Sequence, residues 1–208
     1  MSRGVSFDLF GTLVDAERPT DPAAAVATEL RERGVAVPED WAAAYGEPHV
    51  DAPPGAEVPL PAHVAAALRS RGVDPGGEDQ AVRRAVVAAF DPAVTTRSGA
   101  AEAVAAARER GPVAVLSNCS VPGLVRKALI RSALPREFDA VVTSAACGWR
   151  KPDPRAFETV AERLGIGVGA LLHVGDSEVD GGIEQAGGRA VLLSETGLRE
   201  LPAREGWV

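Results

Sequence analysis

Short apolar runs alternate with amphipathic stretches through the second half of the chain. Continuous apolar segments predict strands at 5–10, 112–116, 140–143, 171–174 and 190–193. Helical periodicity lies between the later strands, at 99–110, 124–132, 155–164 and 183–186. Strands that are apolar on both sides are typical of parallel sheets covered by helices on both faces. We therefore expect an α/β fold with a doubly wound parallel sheet and right-handed crossovers.

Residues 16–92 follow a different pattern, in which helical periodicity dominates and no strand is indicated. Helices are predicted at 21–34, 39–45, 61–71 and 78–90, and the first is capped by Asp21 and stopped by Gly34. A loop rich in Pro and Gly fills 46–61. The sequence thus predicts an α/β core formed by 1–15 and 93–208, with a small helical domain inserted at 16–92.

The composition is that of a globular protein and excludes several classes of partner. The 208 residues are 46% hydrophobic and 25% charged, which is too apolar for a disordered chain. Because 29 acidic residues outnumber 22 basic ones, we expect no nucleic-acid partner. No apolar run approaches the ~18 residues of a membrane span, and we expect no signal peptide. Cys119 and Cys147 cannot form a disulfide framework, which favours a cytoplasmic location.

Polar side chains stand at or just after the carboxyl ends of predicted strands, where open α/β sheets bind their ligands. They are Asp8, Ser117 with Asn118, Lys151, and Asp176 with Asp180. The carboxylates of Asp8 and Asp176 would repel each other unless a cation lay between them, and hard oxygen ligands suit magnesium. Lys151 and donors from Ser117 and the turn at 11–12 would complete a site for a tetrahedral anion. A carboxylate in such a site can attack phosphorus and form an acyl phosphate.

Lys151 is informative because lysine is rare in this chain. Of the 22 basic residues, only Lys127 and Lys151 are lysines. Arginine does not replace lysine where a compact point charge must fit. We therefore predict that position 151 requires lysine, whereas Lys127 is a surface residue of a helix.

Four segments resemble, in the right order, the motifs of the haloacid dehalogenase-like hydrolase superfamily. They read FDLFGTLVD at 7–15, LSN at 116–118, GWRKPDP at 148–154 and VGDSEVD at 174–180. Each is at a predicted strand end or in the loop after it, and together they span nearly the whole chain. The resemblance implies a hydrolase with a Rossmann-like core, and the helical stretch at 16–92 is similar to the superfamily's helical cap.

The resemblance also implies a nucleophile and a metal site. Asp8 would be the nucleophile, and it would bind Mg²⁺ together with the carboxylate of Asp176 and the backbone carbonyl of Phe10. Asp180 would belong to the same metal site, as a supporting acid near the metal and Lys151.

The remaining motif residues would bind the substrate. Ser117 would hold a phosphoryl oxygen, and Lys151 would steady the nucleophile and the transferring group. Thr12 and Asn118 are expected to contact the substrate beside them.

The residue two positions after the nucleophile departs from the phosphatase pattern. Phosphatases of the superfamily usually carry Asp there, as the general acid and base, and this chain carries Phe10. Haloacid dehalogenases also lack that Asp, because a halide leaves without a proton. However, dehalogenases need no metal, and the Gly175-Asp176 pair with Asp180 is the metal-binding form of the fourth motif.

The sequence thus favours a magnesium-dependent phosphatase that acts on a small phosphorylated metabolite. Two alternatives remain open: a metal-independent 2-haloacid dehalogenase-like hydrolase, and a catalytically weak phosphate-binding or regulatory protein. A homodimer formed through an apolar face of the cap is also open.

Acidic and histidine side chains crowd the loop at 46–61, namely Glu47, His49, Asp51 and Glu57. Loops carry specificity more often than scaffolds do. If this loop hangs over Asp8, Glu47 and His49 would bind the substrate or replace the missing acid; otherwise they are surface side chains.

Overall fold

The computed structural model describes residues 3–75, 79–132, 134 and 138–207. Seven strands lie in this part of the chain: β1 Gly4–Phe7, β2 Val14–Ala16, β3 Val94–Thr96, β4 Val113–Ser117, β5 Ala140–Thr143, β6 Leu171–Gly175 and β7 Arg189–Leu192. Five form one sheet in the order β5-β4-β1-β6-β7, with every adjacent pair parallel. The predicted doubly wound parallel sheet is confirmed, with β1 at its centre.

The helices follow the predicted pattern closely. They are α1 Pro22–Glu32, α2 Trp41–Gly46, α3 Leu60–Ser70, α4 Asp79–Ala89, α5 Ala100–Arg108, α6 Leu124–Arg131, α7 Ser144–Cys147, α8 Pro154–Arg163 and α9 Leu201–Arg204, with 3-10 helices at Val168–Ala170 and Glu178–Ala186. The Asp21 carboxylate caps α1 by accepting a hydrogen bond from the Ala24 amide at 2.9 Å. The predicted helix at 183–186 is longer and begins at Glu178, because Ser177 and Asp180 form a capping box.

A short antiparallel ribbon joins the two ends of the helical stretch. In it β2 pairs with β3, from Val14 opposite Thr96 to Ala16 opposite Val94. The sequence pattern indicated no strand within residues 16–92, and this was wrong at Ala16, since three-residue strands are too short to show a period of two. The ribbon brings the chain back to the sheet next to the point at which it left.

Both faces of the sheet are covered, as the alternation along β4 shows. Val113 and Val115 contact one hydrophobic cluster, and Ala114 and Leu116 contact a second cluster that contains Phe157 of α8. All of these side chains are buried. Because the sheet is packed on both sides, its strand ends are held in place. The residues that directly follow the strands are therefore held in place as well.

None of the helices in the described ranges is both long and apolar enough to cross a lipid bilayer.

One polar pair lies inside the sheet. Ser6 of β1 is in register with His173 of β6, and the Ser6 hydroxyl is 2.8 Å from Nδ1 of the His173 ring. Both residues are fully buried, and the ring meets the Phe157 ring edge-on at a centroid distance of 5.2 Å. Burial lowers the pKa of His173 from 6.5 to about 4, which outweighs the hydrogen bond that its Nε2 makes to Asp180.

We expect the stability of the metal-free protein to fall as the pH is lowered from 6.5 towards 4. The unfolded chain binds a proton on His173 in this window, and the folded protein excludes it. The loss approaches about 1.4 kcal/mol per pH unit in the free energy of unfolding. Denaturant titrations at several pH values should show this slope in the wild type and lose it in His173→Gln, which does not titrate. The same slope in both proteins would show that His173 does not cause the pH dependence of stability.

Candidate active site

Polar residues lie at the carboxyl ends of three adjacent strands, β4, β1 and β6, at one edge of the sheet. Asp8 follows β1, Ser117 ends β4, and Asp176 follows β6. The amide of Asp8 donates to the carbonyl of Val174 at 2.9 Å, which continues the pairing of β1 with β6 past the end of the strand. The Ser117 side chain is buried and forms no side-chain hydrogen bond within the described ranges, so its hydroxyl is free for a ligand.

A buried ammonium group links two of the motif carboxylates. Nζ of Lys151 lies 2.6 Å from Oδ1 of Asp180, 3.0 Å from Oδ1 of Asp8 and 3.1 Å from the carbonyl oxygen of Leu116. The ammonium donates hydrogen bonds to Asp180 and to the Leu116 carbonyl, and the residue is 3% exposed. A guanidinium is larger and planar and does not replace a compact ammonium in a buried site, which gives a physical reason for lysine at this position.

Asn118 holds the backbone of the lysine. Its Nδ2 donates to the carbonyl of Lys151 at 2.9 Å, and its Oδ1 accepts from the amide of Lys151 at 2.8 Å. Both ends of the side-chain amide are therefore engaged with residue 151, and in this arrangement Asn118 orients Lys151.

The first-motif turn makes room for the Asp176 carboxylate and orients it. The hydroxyl of Thr12 donates to Oδ1 of Asp176 at 2.8 Å. Gly11 has a φ of +89°, and a side chain there would collide with the Asp176 carboxylate. Thr12 is thus engaged with Asp176 in this structure.

The carboxylates of Asp8, Asp176 and Asp180 offer oxygens that all lie within 4.8 Å of one another. Oδ1 of Asp8 is buried and has no aligned hydrogen bond from the described residues, although the Lys151 ammonium is close to it. Asp176 is exposed, with its carboxylate bound by Thr12 on one oxygen. This pair fits a hard cation such as magnesium.

Asp180 differs from the other two carboxylates because both of its oxygens are already taken. Oδ1 accepts from Lys151 and from Nε2 of His173 at 2.9 Å, and Oδ2 accepts from the amide and hydroxyl of Ser177 at 3.1 and 3.0 Å. This bonding suits the supporting role and leaves little capacity for direct metal binding.

The protonation of Asp8 and Asp180 is shifted in opposite directions. Burial raises the pKa of Asp8, and the Lys151 charge opposes this only in part. Burial alone would raise the pKa of Asp180 as well, but the His173 hydrogen bond and Lys151 outweigh it and hold that pKa well below its usual range. A cation beside Asp8 would favour its charged form.

A cavity of about 400 Å³ opens beside the strand ends. Phe10 and Asn118 line it on the side of the site, and Tyr45, Leu60 and Phe90 line it from the helical stretch. Its charged lining residues are Glu17, Arg18 and Arg150. The half-buried Phe10 ring therefore faces the space next to the nucleophile motif.

Glu47 and His49 lie elsewhere in the helical stretch. The Glu47 carboxylate binds the guanidinium of Arg71 at 2.6 Å, which lowers the pKa of Glu47. Nε2 of His49 is 2.6 Å from the carbonyl oxygen of Ala44, and its ring lies against His63. Neither lines the cavity, so the structure does not bring them to the strand ends.

A different part of the same loop does reach the core, and we call residues 55–60 the strap. The Glu57 amide donates to the Gly148 carbonyl at 2.8 Å, and the Arg150 amide donates to the Gly55 carbonyl at 2.9 Å. The buried Glu57 carboxylate accepts hydrogen bonds from the Ser144 hydroxyl and, at 2.6 Å, from the Arg150 guanidinium. The strap thus touches the loop that carries Lys151.

Sequence reasoning singled out the acidic loop but not this contact. Glu57 and Ser144 are 87 residues apart, and nothing local in either segment indicates the other. Likewise, the hydrogen bond between His173 and Asp180 depends on the geometry of the fourth motif, which the local sequence does not show.

Comparison with known proteins agrees with this geometry. The family described as haloacid dehalogenase-like hydrolase matches residues 3–182. A phosphoglycolate phosphatase from Cereibacter sphaeroides is 32% identical over 207 residues, covering 97% of this chain and 89% of the relative.

Solved structures share the fold at low sequence identity. A 2-haloacid dehalogenase from Pseudomonas syringae pv. Tomato superimposes with a TM-score of 0.66 at 20% identity, covering 100% of both chains. A family enzyme from Bacteroides thetaiotaomicron in complex with magnesium and inorganic phosphate gives a TM-score of 0.54 at 16% identity, covering 92% of this chain and 94% of the other. The family match over residues 3–182 and the 32% identical relative show that the chain is a member of the haloacid dehalogenase-like hydrolases.

Proposed function

We propose that this hydrolase is a magnesium-dependent phosphatase that cleaves a small phosphate ester through an aspartyl-phosphate on Asp8. The observation that carries the proposal is the Asp8 carboxylate. Its Oδ1 is buried without a hydrogen bond and lies 3.0 Å from the Lys151 ammonium, and Asp8 and Asp176 offer carboxylate oxygens within 4.8 Å of each other. The phosphoglycolate phosphatase relative and the family structure with magnesium and phosphate support the same chemistry.

In this mechanism a carboxylate oxygen of Asp8 attacks phosphorus, and the bond from phosphorus to the ester oxygen breaks. Water then attacks the acyl phosphate, which releases phosphate and restores the carboxylate. Lys151 orients Asp8 and offsets negative charge, and the Ser117 hydroxyl donates to a phosphoryl oxygen. Asp8, Asp176 and the backbone carbonyl of Phe10 would hold magnesium, which would supply positive charge to the phosphoryl group.

Phe10 limits which leaving groups the site can expel. Its side chain has no proton to give, so an ester oxygen must leave as an anion or receive a proton from elsewhere. Among the described residues that line the cavity, only Glu17 carries a carboxyl group. Aryl and acyl phosphates are therefore better substrates than alkyl phosphates unless Glu17 serves as the acid.

We further propose that residues 16–92 act as a cap and that the cavity holds the organic part of the ester. Tyr45, Leu60 and Phe90 offer it apolar surface. Substrate contacts by Glu47 and His49 remain predictions, as do a homodimer and a cytoplasmic location.

Phe10 also favours a second candidate function, metal-independent dehalogenation of a 2-haloacid. In that reaction the same Asp8 oxygen attacks carbon and halide leaves without a proton. A third candidate, a phosphate-binding regulatory protein, would keep the site and lack turnover.

One activity screen separates these functions. Aryl, acyl and alkyl phosphates and 2-haloacids are each tested with and without magnesium, with Asp8→Asn as the inactive control. We expect phosphate release only with magnesium and only from the wild type. Halide release without metal would establish the dehalogenase instead, and phosphate binding without any turnover would establish the binding protein.

Magnesium affinity should depend on Asp176. We expect Asp176→Asn to weaken magnesium binding at least about tenfold, or ~1.4 kcal/mol, because a charged ligand is lost. Isothermal titration calorimetry measures this directly. Glu178→Gln removes one charge from an exposed acid two residues away and should leave the affinity nearly unchanged. An equal loss of magnesium affinity in the two variants would show that Asp176 acts only through its charge and not as a ligand.

Phe10→Asp should speed the hydrolysis of alkyl phosphates and have little effect on aryl phosphates. The new carboxyl group supplies a proton donor, which is worth up to roughly 10²–10⁴-fold in rate. A pocket shaped around Phe will hold it imperfectly, and misplacement can forfeit ~10²-fold. Rates for both substrate types at saturating magnesium provide the measurement. A similar gain on both types, or a folded variant without gain on alkyl phosphates, would show that proton transfer is not the missing step.

A further inference from the structure

A continuous series of buried polar groups runs from the middle of the sheet to the proposed nucleophile. The Ser6 hydroxyl meets Nδ1 of His173 at 2.8 Å, and Nε2 of His173 meets Oδ1 of Asp180 at 2.9 Å. The same Oδ1 binds Nζ of Lys151 at 2.6 Å, and Nζ is 3.0 Å from Asp8. Ser6, His173 and Asp180 are fully buried, so no water competes for these contacts.

The hydrogen-bonding capacity of the groups assigns the direction of each bond. The Asp180 carboxylate only accepts, so Nε2 of His173 carries a proton and donates to it. In a neutral ring Nδ1 must then accept, and the Ser6 hydroxyl is its donor. Ser6 therefore fixes which ring nitrogen faces Asp180 with a proton.

His173 contacts Oδ1 of Asp180, the atom at which the hydrogen bonds from the sheet and from the third-motif loop meet. Oδ1 of Asp180 receives two donors, His173 from the sheet and Lys151 from the third-motif loop, while Oδ2 is bound by Ser177. Without the His173 donor, the carboxylate is held only by Ser177 on Oδ2 and by the Lys151 ammonium on Oδ1, so that Oδ1 can shift. The Lys151 ammonium would follow it, because its other side-chain hydrogen bond goes to a single carbonyl, that of Leu116.

We propose that His173, oriented by Ser6, is a positioning residue that aligns Asp180 and, through it, the Lys151 ammonium on Asp8. The kinetic part of this inference rests on the proposed function, since it assumes that Asp8 is the nucleophile. The geometric part, the alignment of Lys151, does not.

A purely structural role, in which His173 only fills the core between β6 and Phe157, makes different predictions. Three variants of His173 and one control separate the two roles. His173→Gln keeps a donor near the position of Nε2, and His173→Asn keeps a polar group near Nδ1 only. His173→Leu keeps neither. Phe157→Leu is the matched control, because it disturbs the packing against the same ring and leaves its hydrogen bonds in place.

The scarcity of lysine gives a readout that needs no turnover. Lysine-selective isotope labelling yields only two side-chain signals, from Lys127 and Lys151, and Lys127→Arg assigns them. We expect the Lys151 signal to shift or broaden in His173→Asn and His173→Leu, and to keep its position in His173→Gln and Phe157→Leu. The Lys127 signal should be the same in all four.

Steady-state kinetics on the best phosphate ester provide the second readout. Loss of a group that orients a catalytic residue typically costs about 10–100-fold, and we expect this fall in kcat for His173→Asn with KM changed by less than about threefold. His173→Gln should recover most of the rate. Ser6→Ala alone should lower kcat. Added to His173→Asn, it should have almost no further effect, because Ser6 acts only through His173.

The two readouts keep the proposals distinguishable. If the wild type hydrolyses no phosphate ester, the proposed function fails, while the Lys151 signal still tests the alignment. An unchanged Lys151 signal in His173→Asn, or a kcat that follows the free energy of unfolding across all variants including Phe157→Leu, would overturn the positioning role. If His173→Leu does not fold, the comparison of the Asn and Gln variants still decides the question.

Discussion

The Lys151 ammonium lies between two carboxylates that would repel each other without it, and nearly every other feature of the site depends on that contact. Burying one charge in a protein is costly, and burying three is tolerated only when each has partners at hydrogen-bond distance. Asp180 meets this condition fully, with four donors on its two oxygens. Asp8 does not, since its Oδ1 has the ammonium nearby but no aligned hydrogen bond. The two carboxylates therefore differ in how fully their oxygens are bound.

The strand order explains how the contact is built. With β4, β1 and β6 side by side, Leu116 supplies a carbonyl, Asp8 its carboxylate, and β6 leads into the capping box that holds Asp180. Lysine comes from outside this set, on a loop after α7, and Asn118 binds both backbone groups of Lys151 to keep it there. Two short segments that are 33 residues apart are thus joined by a single side-chain amide.

Much of this arrangement was predictable from the sequence because it follows from local patterns. Apolar runs located the strands, and parallel pairing then places Asp8, Ser117 and Asp176 at one edge. The roles of Thr12 and Asn118 were less accessible, because the sequence does not show whether a polar side chain contacts a ligand or a neighbouring residue. The loop at 46–61 was the least predictable part: its conformation depends on partners distant in the chain, such as Ser144 for Glu57 and Arg71 for Glu47.

The strap has a mechanical consequence. The helical stretch leaves and re-enters the core at the β2–β3 ribbon, and the strap connects it to the core at a second place. Any swing of the helices about the ribbon must either break the bonds from Gly55 and Glu57 to residues 148–150 or drag that loop along. In the second case Lys151, one residue further on, moves with it. Such a movement would shift the Lys151 ammonium relative to Asp8 and Asp180, which follow strands β1 and β6 of the sheet.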